Sequence, residues 1–257
     1  MDYPEFRLNR SLENRLPKTN DVTFTIDQPV VFFPGTLCDE RIFNPCWQHL
    51  DIPMRAFVPL QWAEDLTQMR MLSADRLAYF EQPIHLVGYS MGGYIAALTA
   101  LENQNRIASL TLISSACDEL PKDEIQQRQQ LLKLIKNKQY TGMSEKRLKH
   151  FFHSSHHQHS EYLNTVKQME QDLGAAVLAA QIGATEPRKN LLPALAKCSF
   201  PIYLISAKQD HLVNESAMFA MHKQLPNSDL TIIENAGHML PIEQSRALAE
   251  YLASKIG

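Results

Sequence analysis

The stretch Ile84-His85-Leu86-Val87-Gly88-Tyr89-Ser90-Met91-Gly92-Gly93-Tyr94 decides how this chain is read. It opens as a short aliphatic strand, passes through the pattern Gly-x-Ser-x-Gly, and continues into Ile95-Ala96-Ala97-Leu98, which reads as helix. Strand, tight turn and helix in that order are the context in which a serine is carried on a nucleophile elbow. Glycines at 88 and 92 suit such a turn, because a serine on a sharp, strained bend needs neighbours without side chains. Ser90 is therefore the candidate nucleophile.

Working outward, Val30-Val31-Phe32-Phe33 is a compact β-forming run closed by Pro34-Gly35, and Arg55-Ala56-Phe57-Val58 is a second, ended by Pro59. Val22 to Ile26 alternates like a strand. Asp39 is placed to cap a helix over Arg41 to Leu50, and Ser73 to Glu81 reads as helix up to Pro83. After the helix Tyr94 to Glu102 comes another strand, Ile107 to Ile113. Strands alternating with helices argue for βαβ units and a parallel sheet.

From Cys117 to about Leu191 the pattern changes to helices: Asp123 to Asn137, Ser144 to Phe152, Glu161 to Leu173, and the alanine-rich Ala175 to Ile182. Alternation resumes with a strand at Ile202 to Ile205, a helix from Glu215 to Gln224, a strand at Leu230 to Ile233 and a closing helix from Glu243 to Ile256. The expected organisation is an α/β core made of residues 1–116 and 192–257, with a helical cap, 117–191, inserted between.

A serine hydroxyl needs a base within hydrogen-bond reach, and the base needs a third group to orient it. Asp210 follows the strand Ile202 to Ile205 and His238 follows Leu230 to Ile233, so both fall outside the carboxyl ends of late strands, in the chain order Ser, Asp, His. Asp118 is the rival acid, with a surface turn or helix cap as its other reading. Two backbone N–H donors are needed for the carbonyl oxygen as it takes on charge, and loss of one typically costs roughly 3 kcal/mol. They are expected from Met91 and from Thr36, with Leu37 as the register-shifted alternative.

On these residues the chain resembles the α/β-hydrolase superfamily, and within it small capped carboxylesterases such as the pimeloyl-acyl-carrier-protein methyl ester esterases of biotin synthesis. The resemblance implies hydrolysis of a carboxylic ester without metal or organic cofactor, and a cap whose basic residues meet an acidic acyl carrier protein. Pro34 stands where the family often has histidine, and Pro59-Leu60-Gln61-Trp62-Ala63 replaces its usual glycine-rich loop. The same fold and triad also serve menaquinone-pathway lyases and C–C bond hydrolases, and non-catalytic ligand-binding modules; these alternatives stay open.

The cap carries the charge pattern that fits the carrier. Between Gln126 and His153 stand Arg128, Lys133, Lys136, Lys138, Lys146, Arg147 and Lys149 against one acid, Glu145, in a chain of net charge -3. A solvated helix face is the alternative. That net charge gives no reason to expect nucleic acid, and 44% hydrophobic with 21% charged residues is an ordinary globular balance. Cys38, Cys46, Cys117 and Cys198 form no zinc spacing, which suggests reduced buried thiols and the cytoplasm. Met1 to Leu8 shows no leader pattern, and no apolar window is long enough for a membrane span. The histidines at 150, 153, 156, 157 and 159 lack interleaved acids and read as a polar loop, not a metal site. Met69, Met71, Met218 and Met221 read as core or surface fillers, not as recognition features.

Overall fold

The computed structural model describes residues 23–257, so Val22 and the polar residues before it lie outside the described residues. The strands are β1 (Phe24–Thr25), β2 (Val30–Phe33), β3 (Leu50–Asp51), β4 (Arg55–Phe57), β5 (Ile84–Tyr89), β6 (Ile107–Ile113), β7 (Ile202–Ala207) and β8 (Ser228–Ile233). The helices are α1 (Asn44–Trp47), α2 (Leu66–Leu77), α3 (Met91–Glu102), α4 (Lys122–Lys136), α5 (Glu145–His150), α6 (Ser160–Ala184), α7 (Leu192–Leu195), α8 (Glu215–Gln224), α9 (Leu240–Glu243) and α10 (Ser245–Ile256).

Six strands form one parallel sheet in the order β4-β2-β5-β6-β7-β8, and β1 pairs with β3 in a small parallel ribbon beside it. Burial follows position. β2 is wholly buried between its neighbours, whereas edge strand β8 is only half-covered along its length. Alternate residues serve opposite faces: Val31 and Phe33 pack with Met69, Ile95 and Met218, while Val30 and Phe32 pack with Phe43, Cys46 and Leu252. The chain leaves β2 towards β4 and leaves β5 towards β6, so the strand order reverses between β2 and β5. That crevice, outside the carboxyl ends of the two strands, is where an open α/β sheet binds ligands.

Several helix boundaries differ from the sequence reading, each for a local reason. Asp39 does cap a turn, accepting from Arg41 N, but the turn is a 3₁₀ segment Glu40–Ile42 followed by the short α1, and Leu50 joins β3. α2 starts at Leu66 because Asp65 caps it through Gln68 N. The closing helix splits into α9 and α10 at Gln244 (φ -130). Residues Glu161 to Ile182 run as α6 with a break at Gly174 (φ 76, ψ 179), a conformation restricted to glycine; a Cβ there would meet nothing, so the dihedral angle and not space requires it.

Among the described residues no strand lies between Ile113 and Ile202, and α4 and α5 both pack against α6, which in turn meets the 3₁₀ turns Glu40–Ile42 after β2 and Leu60–Trp62 after β4. Their small apolar cluster, Leu178 and Ile182 of α6 with Leu131, Leu132 and Ile135 of α4, takes in one core residue, Leu37. Leu60 is buried in the turn that replaces the glycine-rich loop, and this turn packs on α6 with Trp62 left exposed. The four cysteines are free and buried. Burial pushes the Cys38 and Cys117 thiols up to about 12, which leaves them unreactive at neutral pH. Met69, Met218 and Met221 are buried in the core, whereas Met71 lies on the surface, 66% exposed. Among the described residues no helix is long and apolar enough to cross a membrane.

Candidate active site

β5 runs two residues beyond the strand Ile84 to Val87 read from sequence and delivers the chain to Ser90, which adopts φ 52, ψ -121 before α3 begins at Met91. A non-glycine residue held there carries of order 1–3 kcal/mol of strain, which the surroundings must impose. Two backbone bonds do so: Ser90 N–H donates to Ile113 O at 2.9 Å, and Gly93 N–H to Ser90 O at 3.0 Å. Ser115 Oγ donates to the same Ser90 carbonyl at 2.7 Å. The glycines are there for space. A Cβ on Gly92 would lie 2.3 Å from Pro34 O, and one on Gly88 would lie 2.5 Å from Gly93 Cα. Ser90 itself is partly exposed between buried Tyr89 and Met91.

The structure brings Ser90, His238 and Asp210 together. Ser90 Oγ lies 3.0 Å from His238 Nε2, and His238 Nδ1 lies 2.9 Å from Asp210 Oδ2. Asp210 Oδ1 accepts from Leu212 N at 2.8 Å and Val213 N at 3.0 Å, so both carboxylate oxygens are engaged. Burial raises the Asp210 pKa, but the facing His238 charge, its hydrogen bond and the two amides outweigh burial and hold it below the usual carboxylate range. The acid stays ionised and fixes Nδ1 as the protonated nitrogen, leaving Nε2 to accept a proton from Ser90. The rival acid, Asp118, is exposed and caps nothing, since α4 begins after Pro121.

The backbone donors sort themselves by what they already bind. Leu37 N–H donates at 2.8 Å to Gln181 Oε1 of α6, which removes the register-shifted alternative. The amides of Thr36 and Met91 donate to no group among the described residues, and both stand at the β2/β5 crevice. They have the position and the free N–H that a developing oxyanion requires.

Three supporting side chains carry no sequence motif of their own. Tyr89 Oη donates to His238 O at 3.0 Å, with its ring 5.4 Å from the imidazole. Phe151 of the cap places its ring 6.2 Å from the same imidazole. Glu243, with no exposed side-chain surface, accepts from Gly237 N at 2.8 Å and from cap residue His153 N at 2.7 Å, and meets His156 Nδ1 at 2.9 Å. The cap backbone passes so close that a Cβ on Gly237 would lie 2.7 Å from Phe151 O. Glu243 thus clips the histidine loop to the cap, and its place one turn past His238 was the only signal of it in the sequence. Glu243→Ala leaves two backbone donors without an acceptor and is expected to lower unfolding free energy by about 2–4 kcal/mol, measured by urea titration.

The histidine-rich run is correspondingly more than a solvated loop. His156 pairs with Glu243, His159 stacks on Tyr162 at 4.2 Å, and His150 stacks on His211 at 4.8 Å, because the run is the segment that seats the cap on the core. Among the described residues no group of three or more His, Cys, Asp or Glu is placed to hold a metal ion. Of the basic cap residues, Lys133, Lys136, Lys138, Lys146 and Arg147 are exposed. Arg128 is instead held by Glu124 at 2.7 Å and Thr185 at 3.1 Å, and Lys149 pairs with Glu145 at 2.6 Å.

The chain is similar to monoacylglycerol lipase ABHD6 of Bos taurus, 26% identical over 189 residues covering 67% of this chain and 54% of the relative, and to the Homo sapiens protein at 24%. It spans about half the length of these curated relatives. A thermophilic esterase from Thermogutta terrifontis shares its fold with a TM-score of 0.75 at 19% identity, covering 92% of each chain. An esterase from Exiguobacterium antarcticum does so at 0.70 and 18%, covering 90% of this chain and 92% of that one. Residues 63–245, which hold the elbow, the acid and the histidine, match the family model described as alpha/beta hydrolase fold, and the chain belongs to that family.

Proposed function

We propose that this chain is a serine hydrolase acting on carboxylic esters. The observation that carries the reading is the unbroken relay from Ser90 Oγ through His238 to buried Asp210, set beside the free amides of Thr36 and Met91. Ser90 Oγ attacks the ester carbonyl while His238 Nε2 takes its proton. The oxygen, now charged, is held by the two amides, and His238 returns the proton to the leaving alkoxide. Water, deprotonated by the same imidazole, then attacks the acyl-enzyme, and the carboxylic acid leaves with Ser90 restored.

The substrate we infer is a methyl ester carried on an acidic acyl carrier protein. Support comes from the exposed lysines and Arg147 of α4 and α5, and from an open groove of about 500 Å³ lined by Glu145, Lys146, Lys149, His150 and His157. A smaller neighbouring groove of about 190 Å³ leads from His150 to Gln209 and His211, beside Asp210. A second reading, an anionic dicarbonyl substrate on the same triad, is favoured by Arg188. Its guanidinium lies 4.5 Å over the ring of Tyr94, one turn beyond Ser90, and its Nε is buried without a partner among the described residues.

The test is a panel of p-nitrophenyl and methyl esters of graded length, a monoacylglycerol, a methyl-pimeloyl carrier protein and an anionic dicarbonyl compound. Turnover of the carrier-bound ester above the free methyl ester is the expected result. The double charge reversal Lys146→Glu/Arg147→Glu is expected to raise KM for the carrier-bound ester about tenfold and leave the free ester unchanged. Equal effects on both substrates would end the docking idea while leaving esterase activity intact.

A further inference from the structure

Leu37 is the residue after the proposed oxyanion donor Thr36, and it is held in the left-handed region at φ 51, where a leucine rests only if its surroundings impose it. Those surroundings are one face of cap helix α6. The Leu37 side chain packs between Leu178 and Ile182, and its N–H donates to Gln181 Oε1 at 2.8 Å. Residues 178, 181 and 182 follow the spacing that puts them on one helical face. Gln181 is fully buried, and its Nε2 has no partner among the described residues. A buried amide with an unsatisfied donor is a costly way to fill space, so packing does not account for it. The same loop meets α6 once more across the Gly174 break, where Arg41, paired with Asp39, reaches Asp172 at 2.7 Å.

We propose that Gln181 is a positioning residue for the oxyanion hole, so that the seat of the cap on the core sets the aim of the Thr36 amide. The Leu37 N–H and the Thr36 N–H belong to consecutive peptide groups. With the Leu37 peptide group fixed by its hydrogen bond to Gln181 on one side and the strained Leu37 φ on the other, only the φ and ψ of Thr36 remain to turn the Thr36 N–H against it. α6 is then a working part of the site and not only a cover, and an opening of the cap that parts Gln181 from Leu37 loosens the donor. The inference rests on the esterase reading.

The test is Gln181→Met, which keeps the volume of the side chain and removes the acceptor. Turnover is expressed per site titrated with a fluorophosphonate, so that misfolded protein does not count. The expected result is a fall of about five- to tenfold in kcat per titrated site with KM within a factor of two, since one neutral hydrogen bond is at stake. The rate of fluorophosphonate labelling is expected to fall in parallel. Thr185→Val serves as the second variant: it removes the Thr185 Oγ1 bond to Gln181 O at 2.8 Å together with the one from Arg128 at 3.1 Å, loosening the same turn of α6 without touching the Leu37 bond. Its kcat per site is expected to stay at the wild-type value. Unchanged kcat per site in Gln181→Met, or an equal fall in Thr185→Val, would overturn the proposal. Absence of turnover and labelling in the wild type would instead overturn the esterase reading beneath it.

Discussion

Ser90→Ala is expected to lower ester turnover on the order of 10⁴- to 10⁶-fold, because nothing else near the histidine can form the acyl-enzyme. Ser115 has its Oγ committed to the Ser90 carbonyl, and the cysteines are buried with their thiols held protonated. What remains would be slow attack by water activated at His238, helped by the Thr36 and Met91 amides. Stability should not fall, since alanine meets the same φ 52 that serine does and loses one hydrogen bond from a partly exposed hydroxyl. The checks are turnover on the best ester of the panel, labelling by a fluorophosphonate, and the melting temperature. A variant keeping a tenth of wild-type turnover would remove Ser90 from the mechanism. A wild type that neither labels nor turns over any ester would favour a ligand-binding module on the same fold.

Asp210→Asn is expected to cost about 10⁴-fold in kcat, through the tautomer of His238 and not through its position. Asp210 Oδ1 accepts from two backbone amides, Leu212 and Val213, so an asparagine keeps its oxygen there and turns its NH₂ towards His238. His238 Nδ1 must then accept, which moves the ring proton to Nε2, facing Ser90 Oγ. The base is lost while the geometry stays. Imidazole NH resonances would report the exchange directly, and a variant with Nδ1 still protonated would refute the argument.

The same carboxyl has a stability signature. Its folded pKa is lowered, so the folded state binds its proton less readily than the unfolded state. Its stabilising contribution is therefore complete above the ordinary carboxylate value of about 4 and is lost as pH falls below that towards the lowered one. The stability difference between wild type and Asp210→Asn should narrow across that window and hold constant at neutral pH.

The central strands of the main sheet were legible because burial on both faces demands apolar and β-branched residues: Val30–Phe33 is wholly apolar, and Ile107–Ile113 begins and ends on isoleucine with only the buried Ser109 and Thr111 polar within it. Helix starts were less so. Asp65 caps α2 well before the first clear apolar spacing, and Met91 begins α3 inside the motif itself. The break at Gly174 was visible as a division between two helical patterns, although only the backbone tells that one helix bends there and does not end.

Ser90, Asp210 and His238 could be picked out in the sequence as candidates because each follows a strand, and the common direction of parallel strands brings the loops after them to one edge. Local patterns therefore suffice to propose the chemistry. Gln181, Glu243 and Tyr89 could not be found that way, since they meet Leu37, His153 and His238 at 144, 90 and 149 positions along the chain, partners chosen only by how distant segments pack. A motif records what the backbone must do at one place; which side chain fills the space above Ser90, and which amide it holds, is settled only when two distant segments pack.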